Sequence, residues 1–273
     1  MSAENYGFAV GLANTMGWGM DISDFGFSQF LEPEGCFVLC EGSTPVGLAT
    51  CVGFGKLGWF GDFVVEKESR GRGGGGVLLG HAIDYLRSMG VESVGLYAYP
   101  HLEDFYGRFG FRVGSGLKVL CNDLLQANSL FVGGFESGVD FSLLSDFDCE
   151  FFGADRSRLL EGILQKRGNL CFVARENGVV VGYVLAKVQK GVVEVGPLVC
   201  RPDRFMVVLD LLKVMLCRLV GRRVVLYLLD GQNVFEEFLL GVGFRIDFSL
   251  LGMFLGKSVF NSGVYLAESL ERG

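Results

Sequence analysis

Apolar and polar positions follow one another along the first half of the chain in a pattern that predicts strands before an amphipathic helix. Four apolar residues recur at the i, i+3, i+4, i+7 spacing of one helix face, namely Leu79, Ala82, Ile83 and Leu86. Gly90 is suited to end this helix, because glycine readily adopts the left-handed conformation found there. In chain order the predicted elements are strands over 37–40, 46–54 and 59–66, this helix, a strand over 93–99, a short helix over 102–109 and a last strand after Gly110.

The same order of elements returns in the second half. Gly47 and Gly182 lie in matching strands 135 residues apart, and the Gly-Phe-Arg triplets at 110–112 and 243–245 are 133 residues apart. A helix stripe also returns, at Leu209, Leu212, Leu216 and Leu219. A nearly constant offset predicts a tandem repeat of one supersecondary unit.

The repeat divides the chain into two predicted domains, over 1–130 and 131–273. The boundary is expected near 125–138, a polar and Gly-rich stretch between patterned segments. Hairpins followed by a crossover helix predict an α/β fold for each domain, with a mixed, mostly antiparallel sheet flanked by helices.

Composition limits the kinds of binding partner and the cellular compartment that we expect for this chain. A net charge of −7 disfavours nucleic acid, which needs a basic surface, and suits a small cationic molecule better. Eight cysteines form no CxxC pair and there are only two histidines, so no metal site is expected. The apolar stretch 205–220 is interrupted by charges, and the first residues lack a signal-peptide profile. We therefore expect a soluble, cytoplasmic monomer or homodimer with no membrane partner.

The loop before the first amphipathic helix is the most informative segment. It reads Arg70-Gly-Arg-Gly-Gly-Gly-Gly76 and combines five glycines with two arginines at a helix N-terminus. Bare backbone amides in such a place suit a diphosphate. A nucleoside-triphosphate loop is excluded, since no Gly-Lys-Ser/Thr follows. A dinucleotide GxGxxG remains formally present but starts too far after the strand, and a surface turn that binds nothing stays an alternative.

The loop resembles the acyl-CoA loop of the GNAT N-acetyltransferase superfamily, Arg/Gln-x-x-Gly-x-Gly/Ala after a strand that ends in Val, here Val65. The segment 105–111, FYGRFGF, is similar to the family's LYxKxGF. Further similarity to a subgroup of tandem GNAT proteins lies at Gly17-Trp18, Gly47 and Trp59 in the first half, and at 152–156, 195–198 and 253–256 in the second.

This resemblance implies two tandem acyl-CoA N-acyltransferase domains with acetyl-CoA or coenzyme A as cofactor. Backbone groups of Phe63, Val64 and Val65 would bind the pantetheine arm. The cofactor's phosphates would contact the loop, which comprises Arg70, Gly71, Arg72, Gly73, Gly74, Gly75 and Gly76.

Catalytic and acceptor residues follow from the same resemblance. Tyr106 matches the family tyrosine that acts as proton donor; simple packing is its alternative role. Many members carry a glutamate where this chain has Trp59, so the nearby Asp62 is the candidate base, although alternation places it opposite Phe63. Deprotonation through ordered water is equally open. Trp18 and Asp21 are expected to border the acceptor pocket.

The predicted function is transfer of an acetyl group from acetyl-CoA to a primary amine of a small acceptor; the alternative is a non-catalytic acyl-CoA sensor or scaffold. The second half is expected to be degenerate. Arg204 replaces Arg70, but bulky residues follow it at 205–208, and Leu239 stands where Tyr106 is repeated.

Overall fold

The computed structural model describes residues 1–126, 140–189, 191–258 and 262–273. In the first half the helices are α1 (Tyr6–Asn14), α2 (Ile22–Leu31), α3 (Gly74–Ser88) and α4 (Glu103–Gly107). The strands are β1 (Cys36–Glu41), β2 (Thr44–Phe54), β3 (Leu57–Val65), β4 (Ser93–Ala98) and β5 (Arg112–Asn122). The predicted strand and helix order of this half is confirmed, and the buried face of α3 includes all four predicted stripe residues.

The second half repeats this order. Its helices are α5 (Phe141–Phe152), α6 (Ser157–Gln165), α7 (Phe205–Arg218) and α8 (Asn233–Gly241). Its strands are β6 (Leu170–Glu176), β7 (Val179–Val188), β8 (Val193–Cys200), β9 (Val224–Leu229), β10 (Arg245–Leu255) and β11 (Val264–Leu266). Of the predicted stripe, Leu212 and Leu216 are fully buried in α7, while Leu219 lies just past its end. Most of the predicted domain boundary lies outside the described residues.

One mixed sheet runs through both halves, in the order β1-β2-β3-β4-β10-β5-β9-β11-β8-β7-β6 within the described residues. The α/β class with a mixed, mostly antiparallel sheet is therefore confirmed. The halves exchange strands: β10 pairs with β4 and β5, and β5 pairs with β9. Each half thus receives its neighbour's last long strand where its own would be expected.

Each half contains one short parallel strand pair, and the two pairs differ in what lies between their strands beyond the paired residues. β3 pairs with β4 only at Leu57–Trp59, and β8 pairs with β9 only at Val193–Val195. Past these residues the strands of each pair separate. In the second half the gap is filled by β11, in which Leu266 pairs with both Leu198 of β8 and Leu228 of β9. In the first half, no strand of the described residues fills the gap.

After β11 the chain crosses towards the first half. The backbone N–H of Ala267 bonds to the carbonyl of Tyr227, and Trp59 donates to the carbonyl of Leu270 at 3.4 Å. Arg156 anchors the end of this segment, since it donates to the carbonyl of Gly273 at 3.1 Å and forms a buried bidentate pair with Asp148. We call residues 267–273 the crossing segment.

The crossing segment and the surrounding side chains form a core shared by the two halves. Trp59 is fully buried in it, and Phe54 packs edge-on against Phe152 of the second half at 5.9 Å between ring centroids. No helix among the described residues has the length and apolar content needed to cross a membrane.

Candidate functional site

The open gap beside β3 begins where its parallel pairing ends. From Phe60 to Val65, β3 pairs with β2 on one side, whereas β4 pairs with β10 beyond the gap. The amide of Glu66 donates to Val46 of β2 at 2.8 Å, so alternation points the polar groups of Val65 away from β2 and towards the gap. The Val65 carbonyl accepts from Arg70 Nε at 2.8 Å. This contact ties the glycine loop to the end of β3.

A β-bulge interrupts β3 at Asp62. The pairing with β2 shifts between Leu48 and Thr50, and Asp62 adopts a positive φ of 48°, which is uncommon for a residue with a side chain. The Phe63 ring packs against Phe105 of α4, whereas the Asp62 carboxyl accepts from the Thr50 hydroxyl and lies close to Glu271, which contacts Gly61. The local backbone therefore aims this carboxyl at the crossing segment.

The glycine loop leaves a row of amides free. Gly71 and Gly73 have φ values of 77° and 86°, and α3 starts at Gly74. Within the described residues, the amides of 71–75 have no hydrogen-bond acceptor; the first amide bonded into this turn is that of Gly76, to Gly73. A helix N-terminus with free donors attracts anions.

Side chains pack tightly around the first turn of α3. A Cβ added at Gly74 would lie 2.8 Å from Leu39 Cδ2, and one added at Gly75 would lie 3.1 Å from Phe63 Cζ. The glycines therefore allow the helix start to approach β1 and β3 closely. Arg72 remains at the surface and pairs with Glu41 at 3.3 Å.

A cavity of about 380 Å³ lies between the two halves, beside the gap. From the first half it is lined by Trp18, Asp62, Phe63 and Tyr106, among others, and from the second half by Glu194, Phe248 and Glu271, among others. Both catalytic candidates thus line one cavity, and Phe63 links it to the glycine loop. No group of three or more His, Cys, Asp or Glu side chains in the described part of the chain is arranged to hold a metal ion.

Asp62 is a buried carboxyl with one unused oxygen. It is 5% exposed; Oδ2 accepts from the Thr50 hydroxyl at 2.8 Å, whereas Oδ1 has no hydrogen-bond partner in the described structure. Burial raises the pKa of Asp62 to about 7, and the nearby charge of Glu271 adds to this effect. A carboxyl in this state can exchange a proton near neutral pH.

Tyr106 is 4% exposed and lies in the aromatic cluster between α4 and β3. Its ring centroid is 6.3 Å from that of Phe63 and 5.9 Å from that of Phe111. Burial raises the pKa of the phenol above its usual value, so the hydroxyl keeps its proton at neutral pH. This state suits a proton donor.

Asp21 is the other residue that the resemblance places at the border of the acceptor pocket. It is the N-cap of α2, where Oδ1 accepts from the Ser23 amide at 2.7 Å and from its hydroxyl at 2.6 Å. These hydrogen bonds, chiefly the one from the hydroxyl, lower the pKa of Asp21. The cavity lining includes Trp18 but not Asp21.

The second half shows why its equivalent site is closed. The ring of Phe205, at the start of α7, packs against Tyr265 of β11, and Val208 is fully buried. Arg204 pairs with Glu176 and Asp203. Leu239, the counterpart of Tyr106, is fully buried.

Sequence reasoning missed Glu194 and Glu271, which the second half contributes to the cavity. The local signal of Glu194 is a charge between apolar strand residues, whereas Glu271 lies outside any strand and has no such signal. That signal does not reveal where the crossing segment goes.

Comparisons with known proteins agree with this arrangement. A model of the GNAT acetyltransferase family matches residues 15–111, and a model of an acetyltransferase (GNAT) domain matches residues 144–263. A search of curated proteins gave no match.

Three solved structures illustrate the likeness in fold. A proposed acetyltransferase from Pyrococcus horikoshii is 20% identical, with a TM-score of 0.83 over 100% of this chain and 94% of that chain. A GCN5-related N-acetyltransferase from Sphaerobacter thermophilus is 15% identical, with a TM-score of 0.66 over 96% of both chains. A tandem GNAT protein from the clavulanic acid biosynthesis pathway is also 15% identical, with a TM-score of 0.66 over 94% of this chain and 98% of that chain.

The doubled α/β fold, with one parallel strand pair open and the other filled, places the protein in the class of tandem acetyltransferase folds. The chain belongs to the GNAT acetyltransferase superfamily and carries two GNAT domains in tandem, which confirms the resemblance seen in the sequence.

Replacing Asp62 with Asn should change how stability depends on pH. The folded-state pKa of Asp62 is raised to about 7 from an unfolded value of about 3.9. The folded state therefore holds this proton more tightly, and the wild-type protein loses stability as pH rises from about 4 to about 7. The Tm of Asp62→Asn minus that of the wild type should be larger at about pH 8 than at about pH 5.

Thermal unfolding at both pH values measures this difference. The exposed Asp84 on α3 provides the control substitution, Asp84→Asn, for which we expect a Tm difference that does not vary with pH. A difference for Asp62→Asn that also stays constant would contradict the buried, unpaired state of the carboxyl.

Proposed function

We propose that the first half transfers an acetyl group from acetyl-CoA to the primary amine of a small acceptor. The observation that carries this proposal is the presence of two buried proton-carrying groups, Asp62 and Tyr106, in one cavity beside the open edge of β3. Membership of the GNAT superfamily supports the reaction class.

The residues around the gap fit an acyl-CoA. Five free amides at the start of α3 match the hydrogen-bond acceptors of a diphosphate, and Arg72 lies at the surface beside them. The polar groups of Val65 face the gap, where an extended pantetheine arm would find donors and acceptors. The surface turn that binds nothing is less consistent with five unused donors in one row.

When bound, acyl-CoA supplies a thioester whose C–S bond breaks as the acceptor nitrogen forms a bond to the acyl carbon. An alkyl ammonium has a pKa of roughly 10.4, so only about one molecule in 10³ carries a free amine at pH 7. Asp62 Oδ1 takes the proton that the nitrogen must lose. The Tyr106 hydroxyl supplies a proton to the leaving sulfur. Asp62 matches the pKa range in which general acid–base catalysis works, and Tyr106 carries its proton at neutral pH.

The acceptor enters the cavity between the halves, which limits its size. A volume of about 380 Å³ admits a small molecule, not a folded protein segment. Trp18 and Phe248 give this cavity aromatic walls, and its acidic side chains favour a positively charged guest.

Release of free thiol from acetyl-CoA, with and without a panel of small primary amines, tests the proposal. We expect amine-stimulated release together with an N-acetylated product by mass spectrometry. Coenzyme A binding without stimulated release for any amine would instead favour a sensor or scaffold.

Replacing Gly73 with Val should weaken coenzyme A binding. Gly73 has a φ of 86° and open space around its Cβ position, so the change strains the loop backbone without a clash. We expect the affinity measured by calorimetry to fall by about tenfold or more, which is about 1.4 kcal/mol.

Gly178→Val provides the matched control. Gly178 has a φ of 83°, lies in the turn between β6 and β7, and also has open space around it. Its substitution adds similar strain far from the loop and should leave the affinity unchanged. Equal affinities for the two variants would contradict a role for the loop amides.

Replacing Tyr106 with Phe should lower kcat by about 10²-fold, with little change in coenzyme A affinity, because the ring packing stays while the proton donor is lost. Steady-state kinetics with a responsive amine measures this effect. Tyr85→Phe is the control, since the Tyr85 hydroxyl bonds to Glu32 at 2.7 Å outside the cavity. Unchanged turnover in Tyr106→Phe would restrict Tyr106 to packing.

A further inference from the structure

The crossing segment places Glu271 against the bulge of β3. A Cβ added at Gly61 would lie 2.6 Å from Glu271 Cα and 2.9 Å from Glu271 Cβ. The backbones therefore touch at a position where only glycine fits, and Glu271 is fixed beside Asp62. Both residues line the cavity, although they are 209 positions apart in the sequence.

Around this contact, buried and partly buried acids outnumber the bases. Lys187 pairs with Glu194 at 2.9 Å and with Glu268 at 2.6 Å. Arg272 pairs with Glu268 at 3.1 Å and approaches Glu271 only at 3.8 Å. Lys187 and Arg272 therefore pair with three carboxylates, and Asp62 is a fourth carboxyl group nearby.

Glu268 forms ion pairs with both bases. Burial opposes its ionisation, yet Arg272 and Lys187 hold the pKa of Glu268 at about 2. Burial and nearby carboxylates instead raise the pKa of Glu271, so its charge is poorly compensated. Asp62 has no cationic partner within salt-bridge distance in the described structure, and its Oδ1 is unpartnered although the residue is 95% buried.

Four carboxyl groups, Asp62, Glu194, Glu268 and Glu271, thus share two bases, which leaves two negative charges to be balanced. Unpaired buried charge destabilises the folded state unless it is neutralised by protons or by a bound cation. The other charged groups that line the cavity are already paired nearby. Arg223 contacts Asp123 at 3.3 Å, and Asp247 contacts Arg245 at 2.8 Å. The excess is therefore confined to Asp62 and Glu271.

We propose that the acceptor is a diamine, with its reacting nitrogen at Asp62 and its second ammonium group bound by Glu271. Glu271 is then a specificity-determining residue that the second half supplies to the site of the first. This inference rests on the proposed function, and it goes further because it names the acceptor class and a residue that no catalytic motif contains.

Removal of Glu271 also has an expected electrostatic consequence for Asp62. The groups that face Asp62 are Glu271 and Arg272 in the crossing segment, Asp24 on α2 and the Thr50 hydroxyl on β2. Glu271 is the strongest charged neighbour that opposes ionisation of Asp62. Its neutralisation should let Asp62 lose its proton at lower pH, and the acidic limb of kcat/KM should shift in the same direction.

The test compares linear diamines of three to six carbons with monoamines of the same length, using wild type and Glu271→Gln. In the wild type we expect kcat/KM for the best diamine to exceed that of its monoamine by about tenfold or more, because one charge pair is added. In Glu271→Gln this preference should disappear through a higher KM for the diamines, and the acidic limb should move to lower pH. Glu92→Gln, at an exposed salt bridge with Lys56, should retain the preference.

Equilibrium binding of the same diamines by calorimetry needs no turnover, and it separates the two proposals. Absence of amine-stimulated thiol release would refute the proposed function, yet about tenfold weaker diamine binding by Glu271→Gln would still support the carboxylate site. Conversely, turnover with equal kcat/KM for diamines and monoamines, or an unchanged diamine preference in folded Glu271→Gln, would overturn this inference alone. Retained Tm shows that the variant is folded.

Discussion

The separation of β3 from β4 after Trp59 is the constraint on which the site depends. Two parallel strands that part leave backbone donors and acceptors without a partner, and such groups must find one. The two halves differ in whether a strand of the chain supplies these partners. In the second half the chain supplies β11, whereas no strand among the described residues enters the gap of the first half, which lies beside a loop of free amides. The same fold thus occurs once with the gap filled by β11 and once without a strand in the gap among the described residues.

The two halves are also joined into one functional unit. β5 and β10 are exchanged, so the sheet of each half contains a strand of the other, and the crossing segment continues from the filled gap to the open one. The chain that fills the second gap as β11 therefore continues into residues that line the cavity beside the first gap. This arrangement lets the second half line the cavity beside the first-half gap, and it explains why acidic residues of both halves face the same space.

Local patterns predicted those parts of the fold that depend on local physics. The helical periodicity of α3 and the glycine loop could be recognised in the sequence, because a helix face and a run of unobstructed amides depend only on neighbouring residues. The exchange of β5 and β10 could not be predicted from the sequence. The two halves contain similar strands, and tertiary contacts rather than local sequence decide which strands pair. For the same reason the bulge at Asp62 and the position of Glu271 could not be deduced. The family resemblance pointed to Trp18 and Tyr106, which line the cavity, and to Asp21, which is the N-cap of α2.

The number of coenzyme A molecules bound per chain is the decisive measurement, because the described residues of each chain leave one gap without a strand and fill the other with β11. A calorimetric titration of the full chain with coenzyme A should give a stoichiometry of one. Two equivalent sites would show that β11 does not block the second half. No binding at all would show that the free amides of the first half do not hold a diphosphate.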